Sequence, residues 1–155
     1  MRSQLVDFAA DVIEEHQSQM TAIDFDLLIY DKEVTPSDTR LAEVLCNSGQ
    51  TQLRTLKLGG NMSWWRDPTM HASLFDFVKS QTSLVTLDLY NAYLSSSETT
   101  EVFQSLCQSG SVATLEDLNM EEAANFESDE ACQYLAQLID TAHALKKINI
   151  SDQRG

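Results

Sequence analysis

Three histidines, three cysteines and one strongly acidic stretch are the side chains of this 155-residue chain best suited to chemistry. A histidine beside a carboxylate or thiol makes a general base, and a C-x-x-C pair or closely spaced histidines hold zinc. Here His16, His71 and His143 fall on three separate expected helices, with no carboxylate or thiol at ligand spacing. Cys46, Cys107 and Cys132 occupy apolar helix positions, where a thiol acts as a small, inert, buried hydrophobe. Gly59-Gly60 lacks the glycine spacing of a dinucleotide loop and the Gly-Lys-Ser/Thr of a phosphate loop, so it reads as a tight turn. The acidic segment from Glu116 to Glu130 lacks the alternation and central glycine of a calcium loop. No Ser-His-Asp or Cys-His order carries the flanking residues of a nucleophile elbow. The expectation is a chain that is not an enzyme and has no cofactor and no metal.

What must position these side chains is a repeat. L-x-x-L-x-L reads Leu53-Leu56-Leu58, Leu84-Leu87-Leu89 and Leu115-Leu118-Met120, with a degenerate copy at Leu145-Ile148-Ile150. The spacing of the copies, read from Leu53, Leu84, Leu115 and Leu145, is nearly constant. Met20-Ile23-Phe25 forms a divergent first copy, one slightly longer period before Leu53. A constant period within the range of roughly 20–50 residues is the mark of a solenoid whose units bury their apolar faces against one another.

Between the leucine motifs, helical spacing and caps mark a helix in every unit. Ser37 opens Asp38–Asn47 with Leu41, Val44 and Leu45 on one face. Asp67-Pro68 caps the next, ahead of Leu74, Phe77 and Val78. Ser95 with Glu98 makes a capping box before Val102, Phe103 and Leu106. Ser128 caps a last helix carrying Cys132, Leu135, Leu138 and Ile139. Ahead of them, residues 1–19 form an N-terminal capping helix whose stripe of Leu5, Phe8, Ala9, Val12 and Ile13 covers the open end of the stack. Residues 20–155 then make a single domain of four to five repeats.

Leu45-Cys46-Asn47-Ser48-Gly49 returns two periods later as Leu106-Cys107-Gln108-Ser109-Gly110, while the intervening unit has Phe77-Val78-Lys79-Ser80-Gln81. Alternating repeat types with Leu-Cys near a helix end resemble the ribonuclease-inhibitor-like class of leucine-rich repeat proteins. The resemblance implies an α/β fold, a short curved horseshoe with parallel strands on its concave face and helices outside. That pattern places an asparagine at the ninth motif position. Asn61 supplies it once, but Ala92 and Ala123 stand in the later copies, with Asn91 one place early. The asparagine ladder is therefore incomplete.

The net charge of −14 comes from 24 acids against 10 bases and is unevenly spread. No Lys or Arg lies between Ser80 and Leu145, a span holding 11 acids. Such a field repels phosphate backbones and anionic lipid, which disfavours nucleic acid and membrane surfaces, and it suits a protein partner with a basic surface. Acids that merely solubilise the outer faces would give the same composition. No apolar run reaches the roughly 18 residues of a membrane span, no secretion signal opens the chain, and three cysteines suit a reducing compartment. The expected location is intracellular and cytoplasmic.

With the motif leucines inward, strand alternation turns the intervening residues outward. The expected partner-binding set is Asp24, Asp26, Lys57, Asp88, Tyr90, Asp117, Asn119 and Glu121, with Tyr90 as an aromatic anchor. Trp64 and Trp65 follow in the next loop, either as a contact patch beside Tyr90 and Tyr93 or folded back over the helix at Pro68. These features point to a non-catalytic protein–protein interaction module with an acidic concave face and an aromatic loop. A structural subunit of a larger multiprotein assembly, docked through an uncapped C-terminal repeat, is the first alternative. Regulation of a small GTPase or of actin is the second, because regulators of Ran and the actin-capping tropomodulins carry similar repeats, although no partner-specific motif of either stands here.

Overall fold

Each L-x-x-L-x-L motif folds as a three-residue strand whose middle residue points into the core. A computed structural model describes residues 2–17, 19–25, 34–60, 64–65 and 67–151. Among them run α1 (Arg2–His16), β1 (Ala22–Asp24), α2 (Pro36–Asn47), β2 (Thr55–Lys57), α3 (Pro68–Ser80), β3 (Thr86–Asp88), α4 (Ser96–Gln108), a 3-10 turn (Gly110–Ala113), β4 (Asp117–Asn119), α5 (Asp129–Thr141) and β5 (Lys147–Asn149). The strands form one parallel sheet in chain order. Ile23, Leu56, Leu87, Leu118 and Ile148 align across it. Each helix packs against the next along the chain. The architecture is a mixed α/β, leucine-rich-repeat-like fold.

The motif residues of the middle copies, Leu53, Leu56, Leu58, Leu84, Leu87, Leu89, Leu115, Leu118 and Met120, are all fully buried. Full burial of each such side chain stabilises by about 1.5–3 kcal/mol, and the inner helix faces supply the rest of the core. Leu145, Ile148 and Ile150 are only partly buried.

Helix starts follow the sequence chemistry. Asp67 caps α3 with Pro68 after it, Ser95 and Glu98 form the capping box of α4, and Ser128 caps α5. The α2 cap is Thr35 rather than Ser37: Thr35 Oγ1 accepts from Asp38 N and Asp38 Oδ2 accepts from Thr35 N. Pro36 takes the first helical position, where its missing N–H costs nothing.

Two apolar stripes are rotated from their expected settings. In α1 the buried residues are Val6, Ala10 and Ile13, whereas Leu5 and Phe8 are exposed. Both sets have helical spacing, and contact with α2 selects the one centred on Ala10, whose small side chain permits close approach. In α5 Leu138 and Ala131 are buried, Leu135 is half-buried, and Ile139 and Cys132 are exposed. Cys132 is thus not a core residue, because Ala131 takes the inward place.

Past each of the three middle strands the chain turns through a left-handed residue. Gly60 has φ 74°, Asn91 62° and Glu122 54°, all at the same motif position. Asn91 is therefore not a displaced ladder asparagine. It supplies a conformation that Gly and Asn adopt most readily. Ala92 and Ala123, in the ninth position, are buried, and their main-chain N–H groups bond Leu89 O and Met120 O. Asn61 lies outside the described residues.

At the opposite, helix-to-strand turn the stack is joined by buried polar groups. Gln81 Nε2 donates to Gln50 O at 2.6 Å, and its Oε1 accepts from Leu53 N at 3.2 Å. One layer on, Ser111 Oγ accepts from Leu84 N at 3.0 Å and Ser109 Oγ donates to Gln81 O at 2.6 Å. Gly110 packs here on Thr82, whose Cα would lie 3.3 Å from an added Cβ.

Candidate partner-binding face

The outward strand residues stand in ranks set by the register. Ala22, Thr55, Thr86, Asp117 and Lys147 make one row, and Asp24, Lys57, Asp88, Asn119 and Asn149 the next. Neighbours within a row are about 4.8 Å apart, the strand spacing. In the first four strands both flanking residues are more exposed than the central one.

The second row carries a local function that the alternation pattern does not reveal. Asp88 Oδ1 accepts from Tyr90 N at 2.8 Å, Asn119 Oδ1 from Glu121 N at 3.1 Å, and Asn149 Oδ1 from Ser151 N at 3.2 Å. Each is an Asx turn that ends its strand. The signal was present in the sequence as Asp or Asn at the fifth position of the third, fourth and fifth motif copies. Side chains also link across strands: Asn119 Nδ2 donates to Asp88 Oδ2 at 3.2 Å, and Asn149 Nδ2 to Glu121 Oε2 at 3.1 Å. Both Asp88 oxygens are thus occupied, and its charge is partly spent within the fold. Asp117, one row over, is half-exposed with no such bond among the described residues.

The remaining expected site residues divide. Lys57 Nζ lies 3.7 Å from Asp24 Oδ2, so the first two strands present a cation–anion pair rather than bare acid. Asp26 lies outside the described residues. Tyr90 is half-exposed, and its main-chain N–H donates to Asp88.

Trp64 and Trp65 do not form a contact surface. They are 0% and 1% exposed. Trp64 meets Phe25 edge-on at 6.1 Å and Trp65 packs on Phe75 at 5.5 Å, so the pair seals the loop layer against α3. Burial of so much apolar area outweighs the two indole N–H groups, which have no hydrogen-bond partner among the described residues.

Among the described residues no group of three or more His, Cys, Asp or Glu is placed to hold a metal. Burial pushes the Cys46 thiol up to about 12, with Asp76 adding to the effect, and burial also raises Cys107. His71 Nε2 lies 3.7 Å from Glu98 Oε1, which brings side chains of α3 and α4 together. No helix among the described residues is long and apolar enough to cross a membrane.

Solved structures share this fold, two of them as follows. The tropomodulin C-terminal domain of Caenorhabditis elegans aligns over 96% of this chain and 83% of its own, at 12% identity and a TM-score of 0.67. Leiomodin-1 Actin-Binding Site 2 aligns over 96% and 80%, at 14% identity and a TM-score of 0.63. The likeness is one of fold. No family model matches the sequence, and no curated protein matches it either.

Proposed function

We propose that this chain is a non-catalytic protein-binding module whose partner docks on the outward face of the sheet. The observation that carries this reading is the alignment, on β3 and β4, of Asp88, Asp117, Asn119 and Glu121 beside Tyr90. The aromatic contribution comes from Tyr90 and not from the buried tryptophans. Asp117 and the second carboxylate oxygen of Glu121 meet basic groups of the partner, chiefly raising the association rate. The five units follow the ribonuclease-inhibitor sense, with the sheet concave and the helices outside. Actin is the first partner to test, because the leiomodin-1 neighbour is named as an actin-binding site.

The test is co-sedimentation with filamentous actin and affinity capture from cell extract, each at low and high salt. Asp117→Lys with Glu121→Lys leaves the Asx turns of Asp88 and Asn119 intact. Loss of one basic partner in this double variant, with an unchanged circular dichroism spectrum, supports the sheet face. Retention of the same complex refutes it. A complex indifferent to both salt and the variant favours the second reading, a subunit of a larger assembly held at its last repeat, where Leu145, Ile148 and Ile150 are less buried than their counterparts.

A further inference from the structure

Among the described residues, side chains lace the helices together at every seam but one. Arg40 of α2 reaches α1 through Asp11 at 2.6 Å and Glu14 at 3.1 Å. His71 of α3 faces Glu98 of α4 at 3.7 Å, and Gln104 of α4 donates to Tyr134 Oη of α5 at 3.2 Å. Between α2 and α3, no hydrogen bond or ion pair joins the described residues. A groove of about 210 Å³ opens there instead.

Its walls have a definite chemistry. Glu43 and Cys46 stand on one wall, and Asp67, Thr69 and Met70 on the other, with Ala42 toward the floor. Glu43 is exposed and has no hydrogen-bond or ion-pair partner among the described residues. Asp67 Oδ1 is held by Thr69 N at 3.0 Å and Thr69 Oγ1 at 2.7 Å, which holds the carboxyl below its ordinary range and therefore ionised. The nearest cation on α2, Arg40, is already committed to the three acids of α1. A slot that offers Ala42, Cys46 and Met70 among polar neighbours, with a carboxylate on each wall, matches one ligand type: a long side chain with an aliphatic stem and a cationic head.

We infer that the α2–α3 groove is a second contact site, on the helix side of the module, that takes a lysine or arginine side chain of a protein partner. The stem lies along Ala42, Cys46 and Met70, and the head sits between Glu43 and Asp67. This site extends the protein-binding reading but does not use the sheet face.

The probe is Nα-acetyl-lysine methylamide, and its arginine counterpart, titrated into the ¹⁵N-labelled full chain. The uncharged control, which keeps the aliphatic stem but lacks the ammonium, is Nα-acetyl-norleucine methylamide. Saturable amide shifts confined to residues 42–47 and 67–73, absent with norleucine, are expected. Glu43→Gln with Asp67→Asn should weaken the binding about tenfold, the effect of removing two partly exposed charges. The fold survives this change because asparagine caps a helix as well as aspartate does. Shifts spread over the acidic surface, shifts unchanged in the double variant, or no shifts at all would overturn the inference. The sheet-face variant Asp117→Lys with Glu121→Lys should bind the probes like the parent chain, so this site and the sheet face fail or succeed independently.

Discussion

Replacing Gln81 by Met removes a carboxamide that is 0% exposed and bridges two repeats. Leu53 N loses the acceptor it has at 3.2 Å, and Gln50 O loses the donor at 2.6 Å. Phe77 O, the third partner, keeps Ser80 Oγ at 2.7 Å. Two buried main-chain groups are therefore orphaned, at about 1–3 kcal/mol each, and relief of the buried amide returns part of this. The net expected loss is about 3 kcal/mol, or about 6–12 °C in Tm for a chain of this size. Gln50, at the equivalent position one repeat earlier, supplies the control. It is 6% exposed, yet neither atom of its carboxamide has a partner among the described residues. Gln50→Met keeps the main-chain carbonyl that holds Gln81 and deletes only unsatisfied polar atoms, so stability should rise by about 1 kcal/mol. Urea denaturation followed by circular dichroism, with m-values compared, measures both. The same substitution of the same residue type must have opposite signs. Equal losses in the two variants would refute the assignment of the inter-repeat clamp to Gln81.

The remaining expectations concern the tryptophans, a strained turn and the thiols. Trp64→Ala should destabilise by about 3–5 kcal/mol, and emission of the parent chain should be blue and resist acrylamide, whereas easy quenching would return the pair to the surface. Glu122→Gly relieves a φ of 54° and should raise stability by up to about 1 kcal/mol in thermal melts, its Tyr93 contact being long at 3.4 Å. Iodoacetamide at pH 8 should label exposed Cys132 first and spare Cys46, as read by mass spectrometry of the digest. Because Cys46 titrates near 12 folded and near 9.0 unfolded, the folded chain holds the extra proton between those values. Its contribution to stability is thus constant below about pH 9 and falls as pH rises toward 12.

Sequence expectation and fold agree where local chemistry leaves one choice. L-x-x-L-x-L at a constant period fixes which residues go inward, because only a strand buries alternate positions and only stacking buries them all. Ser95 with Glu98, and Asp67 before Pro68, mark helix starts by satisfying main-chain N–H groups within the first turn. Gly60 announces its tight turn in the same way, whereas Asn91, read as a ladder residue, proves to be the same left-handed turn one repeat on.

Where two answers share one pattern, only packing decides. Leu5-Phe8-Val12 and Val6-Ala10-Ile13 are equally helical, and α2 chose the second. Trp64 and Trp65 could cover a partner or the loop layer, and Phe25 and Phe75, contributed by separate elements, drew them inward. Asp88 reads as a free acid until the register sets Asn119 beside it. The α2–α3 groove is invisible in sequence, because its walls come from two helices a whole repeat apart. The repeat, its inward residues and most helix caps depend on near neighbours along the chain and are legible there. Packing settled which charges are spent within the fold, since that depends on side chains a whole repeat apart meeting across strands.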